Sequence, residues 1–309
     1  MRVTRHAAVL SLVLFPSLPA VAQQDTAKAP TAPAITHVLK TREGSTLLGR
    51  LVADSGDTVR FQTSLGMLAI PKRNVAELKP VRPNEVRGGQ YWFPDPNRTR
   101  LFFAPTGRML NTGEGYYSNT YLFLQNFAAG ASEHVTLGGG LSLFPTGDMS
   151  EQVYYFTPKV GVYNSEQNNI AIGSILAWVP TDDGKPFGIV YGVATHGDAD
   201  GSVTGGLGYG FYGSDMSSRP VAMLGGARRV SQRLALLTEN YGMMYDSNES
   251  TCNLTCTDAT RRRLGVLSMY GVRFLGEKLS VDLALANVAT HDAHWIFPGV
   301  PYVAFAVKF

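Results

Sequence analysis

Chemistry in this 309-residue chain could come from five groups of side chains. Cys252 and Cys256 are its two cysteines. Two thiolates could be half of a soft-metal site, but a closed tetrahedral site needs two more sulfur or nitrogen ligands. No histidine or second cysteine pair lies nearby in sequence, so a local disulfide in an oxidising compartment is expected instead. His291-Asp292-Ala293-His294 offers too few ligands in a loop, and no metal is assigned. His196, Asp198 and Ser202 are the residue types of a hydrolytic triad, but a triad depends on geometry and these sit in a Gly/Asp turn. No catalytic residue and no cofactor is expected, and the chain is not read as an enzyme. Arg261-Arg262-Arg263 suits anionic phosphates or a solvated loop edge. The last group is Lys159, Glu239, Arg273, Asp282 and Lys308, charges set inside runs of apolar and small residues. Such charges must face a polar interior. There they either line a conduit and clamp a ligand, or pair off and fill the space.

The elements that position these residues follow from composition. Charged residues make up 17% of the chain, with 33 glycines, 14 Tyr and 15 Phe. A soluble domain usually carries about 25% charge. Residues 1–22 read as a secretory signal: Arg2 and Arg5, the apolar run Ala7 to Leu18, and the small-residue site Ala20-Val21-Ala22. Without them the chain has 25 basic against 24 acidic residues, which gives no electrostatic reason to bind nucleic acid. No other stretch is long and apolar enough for a spanning helix. Residues 23–35, rich in Ala, Pro and Thr, read as a linker.

Residues 36–81 read as a small five-stranded β module, with strands at Thr36–Thr41, Thr46–Ala53, Thr58–Thr63, Met67–Ile70 and Val75–Leu78. The Asp54-Ser55-Gly56-Asp57 turn is its strongest hairpin signal. The run GSTLLGRLVADSGDTVRFQTSLGMLAIPKRNVAEL resembles SH3-like and Sm-like barrels. Residues 82–97 form a connector holding Tyr91-Trp92-Phe93-Pro94, either a packing plug or an anchor at a membrane interface.

From Arg98 to Phe309 hydrophobicity alternates with period two. Strands are expected near 98–106, 115–130, 133–145, 151–163, 168–180, 186–196, 201–213, 218–230, 232–246, 261–276, 278–290 and 299–309. Twelve strands of this length suit an antiparallel transmembrane β-barrel with alternate side chains toward lipid and lumen. The expected all-β chain is therefore that barrel preceded by the small five-stranded module. The face opposite the apolar one is built of small residues, as in Thr136-Gly138-Gly140-Ser142 and Thr204-Gly206-Gly208-Gly210. Lys159, Asp282 and Lys308 have luminal parity. Glu239 shares parity with Leu237 and Tyr241, which suggests a bulge. The longer connections, TGRMLNTGEG and SDMSSR among them, are expected on the outer side, and the shorter ones on the periplasmic side.

The terminal YVAFAVKF resembles the last strand of bacterial outer-membrane β-barrel proteins. That resemblance implies an outer-membrane location with residues 36–81 in the periplasm. It implies that Val303, Phe305, Val307 and Phe309 form the segment read by the barrel-assembly machinery, and that the barrel contacts outer-membrane lipid. Trp295 and Phe297 read as an outer aromatic girdle, with Tyr91, Trp92 and Phe93 as girdle or connector. The functional expectation is a non-enzymatic barrel that passes or binds small solutes. The alternatives are an anchor whose residues 36–81 dock a periplasmic partner, or a lipid-modifying membrane enzyme.

Overall fold

Alternation of buried and exposed positions governs both parts of the chain. A computed structural model describes residues 36–145, 148–181, 184–252, 256–290 and 298–309, with backbone alone at 248–252 and 256–259. The expected signal (1–22) and linker (23–35) lie outside the described residues. The chain divides into two units, Met1–Pro83 and Asn84–Phe309.

The first unit holds β1 (His37–Thr41), β2 (Thr46–Ser55), β3 (Thr58–Thr63), β4 (Gly66–Pro71) and β5 (Val75–Pro80). They form one antiparallel sheet in the order β4-β3-β2-β1-β5. Ser55 pairs with Thr58 across a two-residue turn in which Gly56 takes φ 60°, a left-handed conformation that glycine adopts without strain. Leu39, Val59, Phe61 and Ile70 are buried as one cluster, backed by Leu47, Leu51, Val75 and Leu78. Lys40 lies opposite Glu77 on β5 and bonds it at 2.7 Å, holding its carboxyl below the usual range.

The second unit opens with a two-rung hairpin, β6 (Val86–Arg87) and β7 (Gln90–Tyr91). The wall strands follow: β8 (Gly115–Thr120), β9 (Leu124–Ser132), β10 (Val135–Ser142), β11 (Tyr154–Phe156), β12 (Lys159–Asn164), β13 (Asn168–Trp178) and β14 (Phe187–Gly197). Next come β15 (Gly201–Tyr212), β16 (Asp215–Ser231), β17 (Leu234–Cys252), β18 (Cys256–Leu275), β19 (Leu279–Ala289) and β20 (Val300–Lys308). β11 and β12 are halves of one strand interrupted at Pro158, since both pair with β10 and β13. Proline has no N–H to give the ladder. The wall therefore has twelve antiparallel strands, and pairing of β20 with β8 closes it into a barrel.

The expected count holds, but two assignments change. Residues 98–106 are not a wall strand; they lie inside the barrel, with only an Arg100–Pro105 bridge among them. The expected strand 115–130 is two strands, because Thr120 pairs with Leu124 around a tight turn. Tyr121 and Leu122 make that turn at φ 54° and 67°, with no Gly, Asn or Pro to mark it in sequence.

Side chains sort as expected. On β15, Val203 and Leu207 are exposed outward while Thr204 is buried. On β20, Val303 and Val307 point outward and Ala304 and Ala306 inward. Phe305, on the outer face, packs edge-on against Tyr117, and Phe309 is exposed at the rim. Gly115 and Phe309 exchange backbone hydrogen bonds, so both ends of the wall meet at one rim. The short turns at 133–134, 165–167, 198–200, 232–233 and 276–278 share this rim. Two loops depart from the expected sorting. TGRMLNTGEG lies at the short-turn rim, where Arg108 bonds the carbonyls of Gly197 and Asp198. Most of SDMSSR folds into β16, leaving a two-residue turn in which Gly213 takes φ 59°. The β17–β18 ladder runs on to Cys252 opposite Cys256, well past the last rungs with β16 and β19, so a two-stranded ribbon projects from the other rim.

Candidate functional site

The interior of the barrel is occupied by its own chain. Residues 92–114 turn inward before the first wall strand, burying Asn97, Thr99, Leu101, Phe102, Ala104, Thr106, Met109 and Leu110. A segment without regular ladder partners must satisfy its backbone groups some other way. Here wall side chains do so.

Glu239 on β17 accepts N–H bonds from Phe102, Phe103 and Ala104 at 2.8, 3.0 and 3.1 Å, plus the Tyr241 hydroxyl at 2.6 Å. A carboxylate in a ring of converging donors suits one fully buried side chain. Arg273 on β18 faces Asp282 on β19 directly across the ladder and binds it through two nitrogens at 2.6 and 2.9 Å. Its other donors reach Asp95 and the carbonyls of Asn97 and Leu101. Lys159 on β12 donates to the carbonyls of Thr99, Thr106 and Arg108 at 3.4, 3.1 and 2.7 Å. The anion thus takes segment N–H groups and the two cations take segment carbonyls.

Further ties complete the circuit. The Thr195 hydroxyl on β14 accepts from Gly107 N–H, and the Thr136 hydroxyl on β10 accepts from Leu110 N–H. The Tyr302 hydroxyl on β20 donates to the Phe102 carbonyl. Arg229 on β16 donates to the Phe93 carbonyl, and its guanidinium packs over Trp92. At the rim, Lys308 and Arg98 bond Glu114 at 2.7 and 2.9 Å. Burial opposes ionisation of Glu114, but those two cations and the Asn111 N–H hold its carboxyl down at about 2. The small luminal residues have a steric role: a Cβ on Gly225 would lie 2.4 Å from Leu101, and one on Gly130 2.1 Å from the Asn111 carbonyl.

Between this plug and the rim of the longer loops lies a cavity of about 290 Å³. Tyr116, Tyr155, Tyr191, Phe103, Leu124 and Ile175 line much of it. Arg100 and Lys159 are the charged residues among its lining, which includes no carboxylate.

The expected luminal charges do point inward, but they are not one cluster. Arg273 and Asp282 meet. Glu239 lies opposite Met269, four residues along β18 from Arg273, and so grips a different stretch of the plug. Lys159 binds plug carbonyls apart from the other charges, and Lys308 pairs with Glu114 at the rim. The suspected bulge at Glu239 is absent, since the β17–β18 register runs unbroken there. Thr238 and Asn240 instead face outward and bond the carbonyls of Met269 and Leu224 on neighbouring strands.

Tyr91 and Phe93 are buried in the barrel mouth, with Trp92 between Arg87 and Arg229, so this connector is packing and not a girdle. His196, Asp198 and Ser202 do not form a triad. The His196 ring bonds Asn168, Asp198 caps the backbone N–H of Asp200 and Gly201, and Ser202 is buried on the inner face. Arg261 and Arg262 lie on the projecting ribbon, opposite Ser247 and Asp246. Trp295, Phe297 and the 291–294 His/Asp group lie outside the described residues, as do the side chains of Cys252 and Cys256.

Sequence reasoning missed Asp95, Arg98, Arg100, Arg108, Glu114 and Arg229. For all but Arg229 the signal available was the density of Arg, Asp and Pro between 82 and 114, higher than a spanning strand tolerates.

No family model matches the chain, and no curated protein matches it either. Solved structures of OmpT, an outer membrane protein of Vibrio cholerae, align over 89% of this chain. A loop L8 deletion mutant aligns over 96% of its length at 9% identity and a TM-score of 0.34. The outer-membrane expressed protein aligns over 95% at 10% identity and 0.35. Similarity at this level transfers no role and no residue.

Proposed function

We propose that this protein is an outer-membrane barrel, closed by its own residues 92–114, that binds a small molecule and does not pass solutes freely. The observation carrying this reading is the use of Glu239, Arg273 and Lys159 on the plug backbone. Charges lining an open conduit would be left to water and solute; these are saturated by the chain itself. The outward face supports a lipid setting. Leu137, Ile172, Val203, Leu207, Leu224 and Leu283 are all exposed there, and water offers no reason to display them. Both wall ends lie with the short turns, which in outer-membrane barrels are periplasmic, and this supports reading residues 36–83 as a periplasmic unit.

Purified full-length protein in planar bilayers tests the closed state. The expected result is no steady ion conductance in the wild type and conductance after Glu239→Ala with Arg273→Ala. Steady wild-type conductance would sink the reading. A second reading, that residues 36–83 dock a periplasmic partner, draws on that unit having its own apolar core. Crosslinking from Arg60 in intact cells should trap a periplasmic protein; only self-products would count against it.

A further inference from the structure

We infer that the cavity above the plug binds a small organic anion with an apolar body, a carboxylate on an aromatic or short aliphatic group, anchored by Arg100. This rests on the closed-barrel reading and adds the class of ligand. The cavity, about 290 Å³, is at the small end of ligand pockets. Its wall positions Thr120, Leu124 and Ala177 sit at strand ends beside the longer-loop rim, so it faces that side.

The charge at this cavity is unbalanced. Arg100 and Lys159 line it with no carboxylate beside them. Lys159 is already committed to three plug carbonyls. Arg100 is not. Its Nε donates to Asn97 Oδ1 at 3.0 Å, but its Nη2 is buried with no hydrogen-bond partner. Other arginines of the interior are matched: Arg98 to Glu114, Arg229 to the Phe93 carbonyl, Arg273 to Asp282. A buried donor without an acceptor keeps an unmet desolvation cost, so an oxyanion that pairs with this guanidinium has something to gain. Guanidinium prefers carboxylate because two parallel bonds fit its fork. The Tyr116 ring, 5.8 Å from the guanidinium carbon, helps hold the group in place.

The rest of the cavity selects the body of the ligand. Phe103 lies on the plug with 46% of its surface exposed, and Leu124, Ile175 and three tyrosine rings surround the same space. An inorganic anion would leave this apolar surface uncovered. An uncharged ring would leave Arg100 unmatched.

Titration calorimetry on the full-length protein in nanodiscs tests this, with benzoate, benzamide and inorganic phosphate as probes. Benzoate should bind at least about tenfold more tightly than either of the others. Arg100→Gln should lower benzoate to the level of benzamide, and Arg100→Lys should keep part of the preference. Leu124→Trp, which fills the cavity from the wall, should abolish binding of benzoate and serves if Arg100→Gln fails to fold. Equal benzoate affinity in the wild type and the Arg100 variants would overturn the inference. So would a wild-type benzoate affinity weaker than about 1 mM. Conductance measured on the same preparation separates the two readings. A conducting wild type overturns the closed barrel, whereas a closed barrel without benzoate binding overturns only the ligand assignment.

Discussion

Single charged residues hold the interior of this barrel, and Glu239, Arg273 and Lys159 do so through the plug backbone. Glu239 is the clearest case, because removing its carboxylate strands three N–H donors at once. Each buried donor left without a partner costs about 1–3 kcal/mol. Glu239→Ala should therefore lower the urea midpoint of unfolding markedly, and Glu239→Gln, which keeps an acceptor, should lower it less. Equal effects of the two would show that the amide cradle contributes little. Glu114 adds a pH dependence. Its folded carboxyl sits at about 2, below an unfolded value of roughly 4.3, so its ties to Lys308 and Arg98 stabilise fully above that unfolded value. The contribution is lost as pH falls toward 2, where the folded group takes up its proton. Thermal unfolding of wild type should fall more steeply than that of Glu114→Gln between those limits. Parallel pH profiles would argue against the clamp. Of these residues the sequence marked Lys308 as inward-facing by parity, and assigned Glu239 to the interior by its charge alone. It could not mark Glu114, because a carboxylate just before a strand looks like any solvated loop acid.

At the scale of elements, the alternation of small and apolar residues carried most of the fold. A strand is legible when its two faces differ in chemistry, and from β9 onward they do. Two places defeat that signal. The Tyr121-Leu122 turn places two non-glycine residues at φ 54° and 67°, so residues 115–130 look like one unbroken strand. A left-handed residue with a Cβ costs roughly 1–2 kcal/mol, and Leu122→Gly should raise the unfolding free energy by an amount of that order, seen as a higher unfolding midpoint. A fall instead would mean that the Leu122 side chain packs to more effect than its 74% exposure implies. The second place is residues 98–106, whose apolar positions match a strand pattern but bury against the wall from inside. The outward belt gives its own prediction. Leu207→Arg, in the middle of β15 and 60% exposed, should cost about 2–4 kcal/mol in a bilayer. The same change at Leu279, beside the 276–278 turn, should cost much less in a lipid-vesicle folding assay.

For the whole molecule the question is whether the lumen is open. A twelve-stranded wall encloses more space than its own small side chains fill, so something else must occupy it. Water would make a pore; here residues 92–114 occupy it and leave a one-ended cavity. Ion conductance is therefore expected to be low in the intact protein and to rise when the plug is loosened at Glu239 and Arg273. The projecting β17–β18 ribbon carries Cys252 opposite Cys256 in register, where a disulfide is proposed; a reductant should leave barrel closure and conductance unchanged because no wall pairing depends on the ribbon tip. A rise in conductance under reductant would contradict that separation.

The sequence by itself determined the all-β class, the outward apolar faces and the inward parity of Lys159, Asp282 and Lys308. Each of these follows from local periodicity, which any neighbour on the sheet must respect. Tertiary structure decided what those charges bind. Glu239 and Phe102 are 137 residues apart in the chain, and Arg273 and Leu101 are 172 apart. Contacts at such separations leave no periodic trace, because a plug needs only backbone groups and room to meet the wall. What fills the lumen was decided there, by a segment of which residues 98–106 match a strand pattern in sequence.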